Sequence, residues 1–217
     1  MPITGRPFIK AILSGHVIEI YEYEKMPQPA KGRERRKLDD SDWLADKNGV
    51  VEQNQRKKRW NLIRLLNMNF DESSKFITLT FAENVKDLDA AHPEFDKFIK
   101  RMRRKYGNFK YAAVVEFQKR GAVHYHMISD LPYIPKQELA RIWGQGFVRV
   151  NKIDHVDNIG AYISKYMTKD GKDIRLRGRK AYFTSKNLER PIELHGDAVD
   201  PLLDLYELKD KKTVFSS

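Results

Sequence analysis

Glu116, His124 and His126 have the residue types and spacing to do chemistry together. They lie in EFQKRGAVHYHMI, residues 116–128, which otherwise reads as two strands about a short polar turn. If Lys119, Arg120 and Gly121 form a three-residue loop, glycine takes its left-handed position. Gln118 then opposes Ala122, Phe117 opposes Val123, and Glu116 opposes His124. Opposed residues share a face, with Cβ atoms ~5 Å apart. Side chains alternate along a strand, so His126 joins them. Either histidine alone would read as a half-buried sheet residue satisfied by its neighbours. His-x-His with a carboxylate opposite reads better as a metal centre. Imidazole is the commonest metal ligand, and three ligands leave positions open for water and substrate oxygens. Zinc suits the ligand types; Mg²⁺ or Mn²⁺ suits them better if the substrate is a phosphate ester. Gln118 is a lesser ligand candidate on the same face.

A nucleophile is available further on. AYISKYMTKD places Tyr162 and Tyr166 at i, i+4, on one side of a helix. Ile159, Ile163 and Met167 make its core stripe, and the tyrosines border it. Each tyrosine is followed three residues later by a lysine, Lys165 or Lys169. Alone, this pattern is that of amphipathic tyrosines at a core edge with solvated lysines. Beside a metal centre it acquires a second meaning. A phenol of pKa ~10 is a weak nucleophile, an ammonium favours its phenolate, and a metal positions a phosphorus for in-line attack. The product would be a phosphotyrosyl link that conserves the phosphodiester for rejoining. Two tyrosines permit two successive transfers without water.

The elements that must position these groups follow from pattern. Residues 8–24 predict two strands about Ser14-Gly15. Residues 25–42 lose apolar periodicity and predict a basic loop. Trp60, Ile63 and Leu66, with Leu62 and Leu65, predict a helix over about 50–68. KFITLTF predicts a strand with Ile77, Leu79 and Phe81 on one face. Phe95, Phe98, Ile99, Met102 and Tyr106 predict a helix with Pro93 in its first turn. Two hairpin strands follow, then a helix from Pro135 to Gly144, a strand FVRVNKI, the tyrosine helix, and a last strand or arm in KAYFTS. The order β-α-β-β-α-β-α implies an α+β, ferredoxin-like fold with a largely antiparallel sheet flanked by helices. Such a fold hosts many functions.

Charge narrows the partner. The 217 residues carry a formal net charge of +11, which points to a polyanion, nucleic acid first. Arg56, Lys57, Lys58 and Arg59 on one helix, and Lys100, Arg101 and Arg104 on another, are the candidate phosphate contacts. Tyr125, Tyr182 and Phe183 are candidate stacking aromatics, and Trp143 is one too, though it reads better as a core residue. No apolar run reaches membrane-span length, so no membrane partner is expected. The absence of cysteine is compatible with a reducing cytoplasm.

KFITLTF, AVHYHMI and YISKYMTK, in that order, resemble the three motifs of the HUH endonucleases that initiate rolling-circle replication. The two-tyrosine helix is similar to that of initiators from small single-stranded DNA phages and some plasmids. The resemblance spans residues 75–190, with a basic extension over 1–74 and a C-terminal tail over 191–217. It implies an RRM-like HUH domain. It implies that His124 and His126 bind the metal, with Glu116 where many members carry the third ligand. It implies that Tyr162 and Tyr166 are paired nucleophiles served by Lys165 and Lys169, and that Thr78 and Thr80 shape the floor of the site. Some single-tyrosine initiators carry a glutamate at the first position; Tyr162 there favours strand transfer over hydrolysis. The implied reaction is nicking and joining of single-stranded or hairpin origin DNA through a 5′-phosphotyrosyl intermediate. No G-x-x-x-x-G-K-[ST] loop occurs, so a separate host helicase and polymerase would be needed. A relaxase usually places its tyrosines before the histidines, and a transposase of this kind usually has one. A non-catalytic nucleic-acid-binding module would need exposed aromatics on the sheet face.

Overall fold

The computed structural model describes residues 8–23, 40–153, 158–169, 175, 179–180 and 182–206. A hairpin, β1 (Phe8–Ser14) and β2 (Val17–Tyr23), is followed by a long helix α1 (Asp40–Asn69). Then come β3 (Lys75–Phe81), α2 (Leu88–Tyr106), β4 (Tyr111–Phe117), β5 (Val123–Ser129), α3 (Lys136–Trp143), β6 (Gly146–Lys152) and α4 (Ile159–Lys169). The described chain ends with β7 (Tyr182–Thr184), β8 (Ile192–His195), a 3₁₀ turn and α5 (Asp200–Leu205).

The central sheet has the order β6-β3-β5-β4-β7, antiparallel throughout. Its first four strands, renumbered in chain order, run 4-1-3-2, the ferredoxin-like arrangement. The alternation expected in KFITLTF holds. Ile77, Leu79 and Phe81 face α2 and α3 within one core that includes Phe95, Phe98, Tyr125 and Trp143. Phe76 points to the opposite face, where Leu62 and Leu66 of α1, Phe70 just after it, and Ile159 and Ile163 of α4 pack on Phe76, Ala112, Val114 and Ile128. The molecule is therefore a sheet between two unlike layers.

Several expectations need correction. α1 begins at Asp40, some ten residues before the apolar periodicity does, and Trp60 is 51% exposed rather than packed inside. α2 begins at Leu88, capped by the Asp87 carboxylate, so Pro93 lies beyond its first turn. Residues 191–206, expected as part of a tail, form structure: β8 pairs with β1, and Val199 and Leu203 close a small core with Ile9 and Ala11. Apolar residues spaced too sparsely for a pattern found partners already laid down by the hairpin. Most of the expected basic loop lies outside the described residues.

Two contacts seat α4. Asn67 on α1 is buried; its Oδ1 accepts from the Gly160 amide at 2.7 Å and its Nδ2 donates to Asn158 at 3.1 Å. The Asn158 carboxamide in turn accepts from the Ala161 amide at 2.8 Å, capping the helix. Gly160 itself allows the close approach: a Cβ there would lie 2.8 Å from the Ile63 carbonyl carbon and nearer still to its oxygen. α1 is anchored on its other side by Arg64, which donates to Glu19 at 2.5 Å and to the Tyr21 hydroxyl at 2.7 Å.

Gly160→Ala should therefore force α4 off α1. We expect a loss of about 1–3 kcal/mol from overpacking, read as a lower urea midpoint with an unchanged slope. An unaltered midpoint would mean that the helices do not pack this closely.

Candidate metal and nucleophile site

The hairpin has the register that the sequence implies. Glu116 pairs with His124 and Phe117 with Val123. The Gln118 amide donates to the Ala122 carbonyl at 2.8 Å, and Gly121 adopts φ +88°. On β3, Thr80 pairs with His124 and Thr78 with His126. Glu116, His124 and His126 consequently stand on one face, each able to offer a ligand atom within 4.8 Å of the others'.

His126 is buried and its environment is specific. Its Nε2 meets the Glu116 carboxylate and its Nδ1 lies 3.2 Å from the Thr78 hydroxyl. Its ring stacks on Phe76, with centroids 5.6 Å apart and planes 3° from parallel. His124 is half-buried; its Nε2 is shielded from solvent and has no hydrogen-bond partner among the described residues. Burial first, and then neighbouring His126, push its pKa down to about 4, against the opposing pull of Glu116. At neutral pH it is a neutral imidazole. An orphaned buried nitrogen beside a carboxylate and a second imidazole fits a divalent cation, since hydrogen bonding leaves it unsatisfied. A cation held by the His126 Nε2 requires the ring proton on Nδ1, where Thr78 can accept it. The Gln118 Oε1 accepts from Arg120 at 2.7 Å.

The tyrosine helix lies over the same face. Ile159 and Ile163 are buried, as the stripe predicts, and both tyrosines are half-buried. The Tyr166 ring stacks on His126 with centroids 4.1 Å apart. Tyr162 stands edge-on to Phe76 at 5.8 Å and lies 6.1 Å from Tyr166. Burial, the hydrogen bond with Tyr162 and the charges of Tyr162 and Glu116 push the Tyr166 pKa up to about 12, while Arg149 pulls it down. The Lys165 ammonium is 5.7 Å from the Tyr162 ring centroid. The side chains of Met167 and Lys169 lie outside the described residues.

The basic residues divide. Arg56, Lys57 and Lys58 are exposed on α1, in the layer that covers the site face. Arg59 points inward, its Nε 3.3 Å from the Ser164 hydroxyl on α4. Lys100, Arg101 and Arg104 lie on α2, behind the sheet, and the structure does not bring them to the site. Arg101 donates to the Ile142 and Trp143 carbonyls at 2.8 and 3.0 Å, closing the end of α3. Tyr125 and Trp143 are fully buried and cannot stack on a base; Tyr182 and Phe183 are half-buried. Sequence reasoning missed Asn67, Gly160, Phe147 and Arg149. Only the NIG tripeptide before the tyrosines offered a signal, a helix cap followed by a small residue.

Residues 74–171 match the family model described as replication-associated protein ORF2/G2P. The segment that holds the site resembles a replication-associated protein. The match takes in Glu116, both histidines and both tyrosines, and covers a little under half of the chain. Comparison with curated proteins and with solved structures gave no match. The match supports a role in DNA replication. Among the described residues, no helix is long and apolar enough to cross a membrane.

If Thr78 orients His126 for a cation, Thr78→Val should weaken Mn²⁺ binding roughly 10–100-fold. Calorimetric titration of the full chain reads this directly. Unchanged affinity would mean that the hydroxyl does not set the tautomer.

Proposed function

We propose that this protein initiates rolling-circle replication by nicking and joining single-stranded origin DNA. Chief support comes from one observation: a tyrosine on α4 lies stacked on a histidine of a Glu-His-His cluster with the geometry to hold a metal ion. The resemblance to a replication-associated family over the same residues agrees with it.

In the reaction proposed, a tyrosine oxygen attacks the scissile phosphorus and the P–O3′ bond breaks. The tyrosine loses its proton, and the departing 3′ oxygen gains one. The strand is left with a 5′-phosphotyrosyl end and a free 3′-hydroxyl that primes synthesis. Attack on this link by another 3′-hydroxyl restores the phosphodiester, so no bond energy is lost between steps. Glu116, His124 and His126 would hold Mg²⁺ or Mn²⁺, which would polarise a phosphoryl oxygen. His126 fixes the Tyr166 ring by stacking, and Phe76 by a tilted ring contact. Lys165 stands beside Tyr162, its ammonium 5.7 Å from the ring centroid, and would serve it as Lys169 would serve Tyr166. Tyr166 is the first nucleophile in this scheme because it lies nearer the cluster; Tyr162 takes the second transfer. A cytoplasmic setting and a separate helicase and polymerase complete the proposal.

The test is a gel assay with labelled single-stranded oligonucleotides, candidate origin hairpins included, and Mn²⁺. An SDS-resistant protein–DNA adduct should form and vanish with EDTA. Tyr166→Phe should abolish nearly all of it, Tyr162→Phe should retain it while blocking joining, and the double variant should form none. A folded protein that binds the DNA without any adduct would instead favour a binding module.

A further inference from the structure

The face that carries Glu116 and the histidines continues onto the edge strand β6. Phe147 pairs with Thr80, Thr80 with His124, and His124 with Glu116, so one row crosses four strands. Arg149 holds the next row, with Thr78 and His126. Adjacent strands lie ~4.8 Å apart, which puts Phe147 about 10 Å from His124. Phe147 is 71% exposed, whereas its neighbour Val148, on the other face, is 3% exposed. Among the exposed large hydrophobic side chains of the described residues, Phe147 alone stands on the five-stranded sheet. Arg149 is also exposed, with its Nε 3.1 Å from the Asn151 side-chain oxygen. An exposed ring and an exposed guanidinium thus flank the cluster on the side away from β7.

Resting on the nuclease reading above, we propose that Phe147 and Arg149 form a nucleotide subsite for the single strand next to the scissile phosphate. The base stacks on Phe147, and Arg149 holds a backbone phosphate. Every base has a π-face, so the ring grips without choosing sequence. A guanidinium matches phosphate oxygens in a bidentate fork. The row geometry aligns both with the cluster, so a strand laid along them brings its phosphate toward Tyr166 rather than across α2. The net charge of +11 favours such a polyanion over an apolar partner. An exposed ring on an edge strand could also serve pairing with a second copy of the chain, and the experiment separates the two.

Binding of fluorescein-labelled single-stranded DNA to the full chain is measured by anisotropy in EDTA, where no adduct interferes. Phe147→Ala should raise Kd about fivefold or more, and Phe147→Trp should keep the wild-type value. Arg149→Gln should weaken binding across sequences and reduce the log–log salt slope by about one. Unchanged Kd in Phe147→Ala overturns the subsite, as does a shift in oligomeric state by light scattering with no change in DNA affinity. Wild-type adduct formation alongside that unchanged Kd leaves the nuclease reading standing. Weakened binding by Phe147→Ala in a protein that forms no adduct supports the subsite and sinks the nuclease. Absence of both adduct and DNA affinity sinks both.

Discussion

Everything at the site depends on the register of β4 against β5. A strand displaced by one residue turns every side chain to the other face. Here that would send Glu116 or the histidines into the α2 layer and bring Phe117 or Tyr125 out. The three-residue turn at Gly121 prevents the slip, because its positive φ suits glycine and its length pairs Glu116 with His124. The buried face adds a second restraint. Tyr125, between the two histidines, is fully buried and stacks on Phe95 with centroids 4.5 Å apart, and its hydroxyl meets His92 at 2.7 Å. The residue that separates the ligands thus holds them in place from behind.

The second dependence is the approach of α4 to α1. The sheet supplies the cluster and an apolar seat for α4 at Phe76, Ala112, Val114 and Ile128. Asn67 and Gly160 fix the helix there, the first by capping contacts and the second by having no side chain. α1 lies before the segment similar to replication-associated proteins, yet its Leu62 and Leu66 share a core with β3, β4, β5 and α4. The N-terminal part of the chain is therefore structural support for the tyrosines. Arg64, Glu19 and Tyr21 extend that support to the small sheet of β1, β2 and β8.

The two faces of the central sheet also divide chemistry from stability. The α2 face is packed with apolar and aromatic side chains at its centre, with the Tyr125 hydroxyl paired to His92. The opposite face is covered by helices only in part. Phe76 and Ile128 are buried beneath α1 and α4, while Phe147 and Arg149 at the far edge are open to solvent. A polar cluster at the boundary can be dry enough to shift the His124 pKa and still be reached by a substrate. Basic residues on α2, behind the sheet, have no part in this boundary.

The sequence by itself determined whatever depends on neighbours in the chain. The hairpin, its turn, the shared face of Glu116, His124 and His126, and the tyrosine spacing are all local, set by period two in strands and 3.6 in helices. So is the α+β order of elements. Tertiary structure alone decided which of those local features meet. The tyrosines reach the histidines because α4 packs both on the sheet and on α1, the latter a contact between residues some ninety positions apart. Exposure was decided the same way. Tyr125 looked available for stacking and is buried, whereas Phe147, in a strand that carries none of the motifs, is not. Alternation tells which residues share a face, but whether a helix covers that face depends on packing between distant segments. The pairing of β8 with β1 was hidden for that reason too, since four residues carry too little pattern to announce a partner so far away.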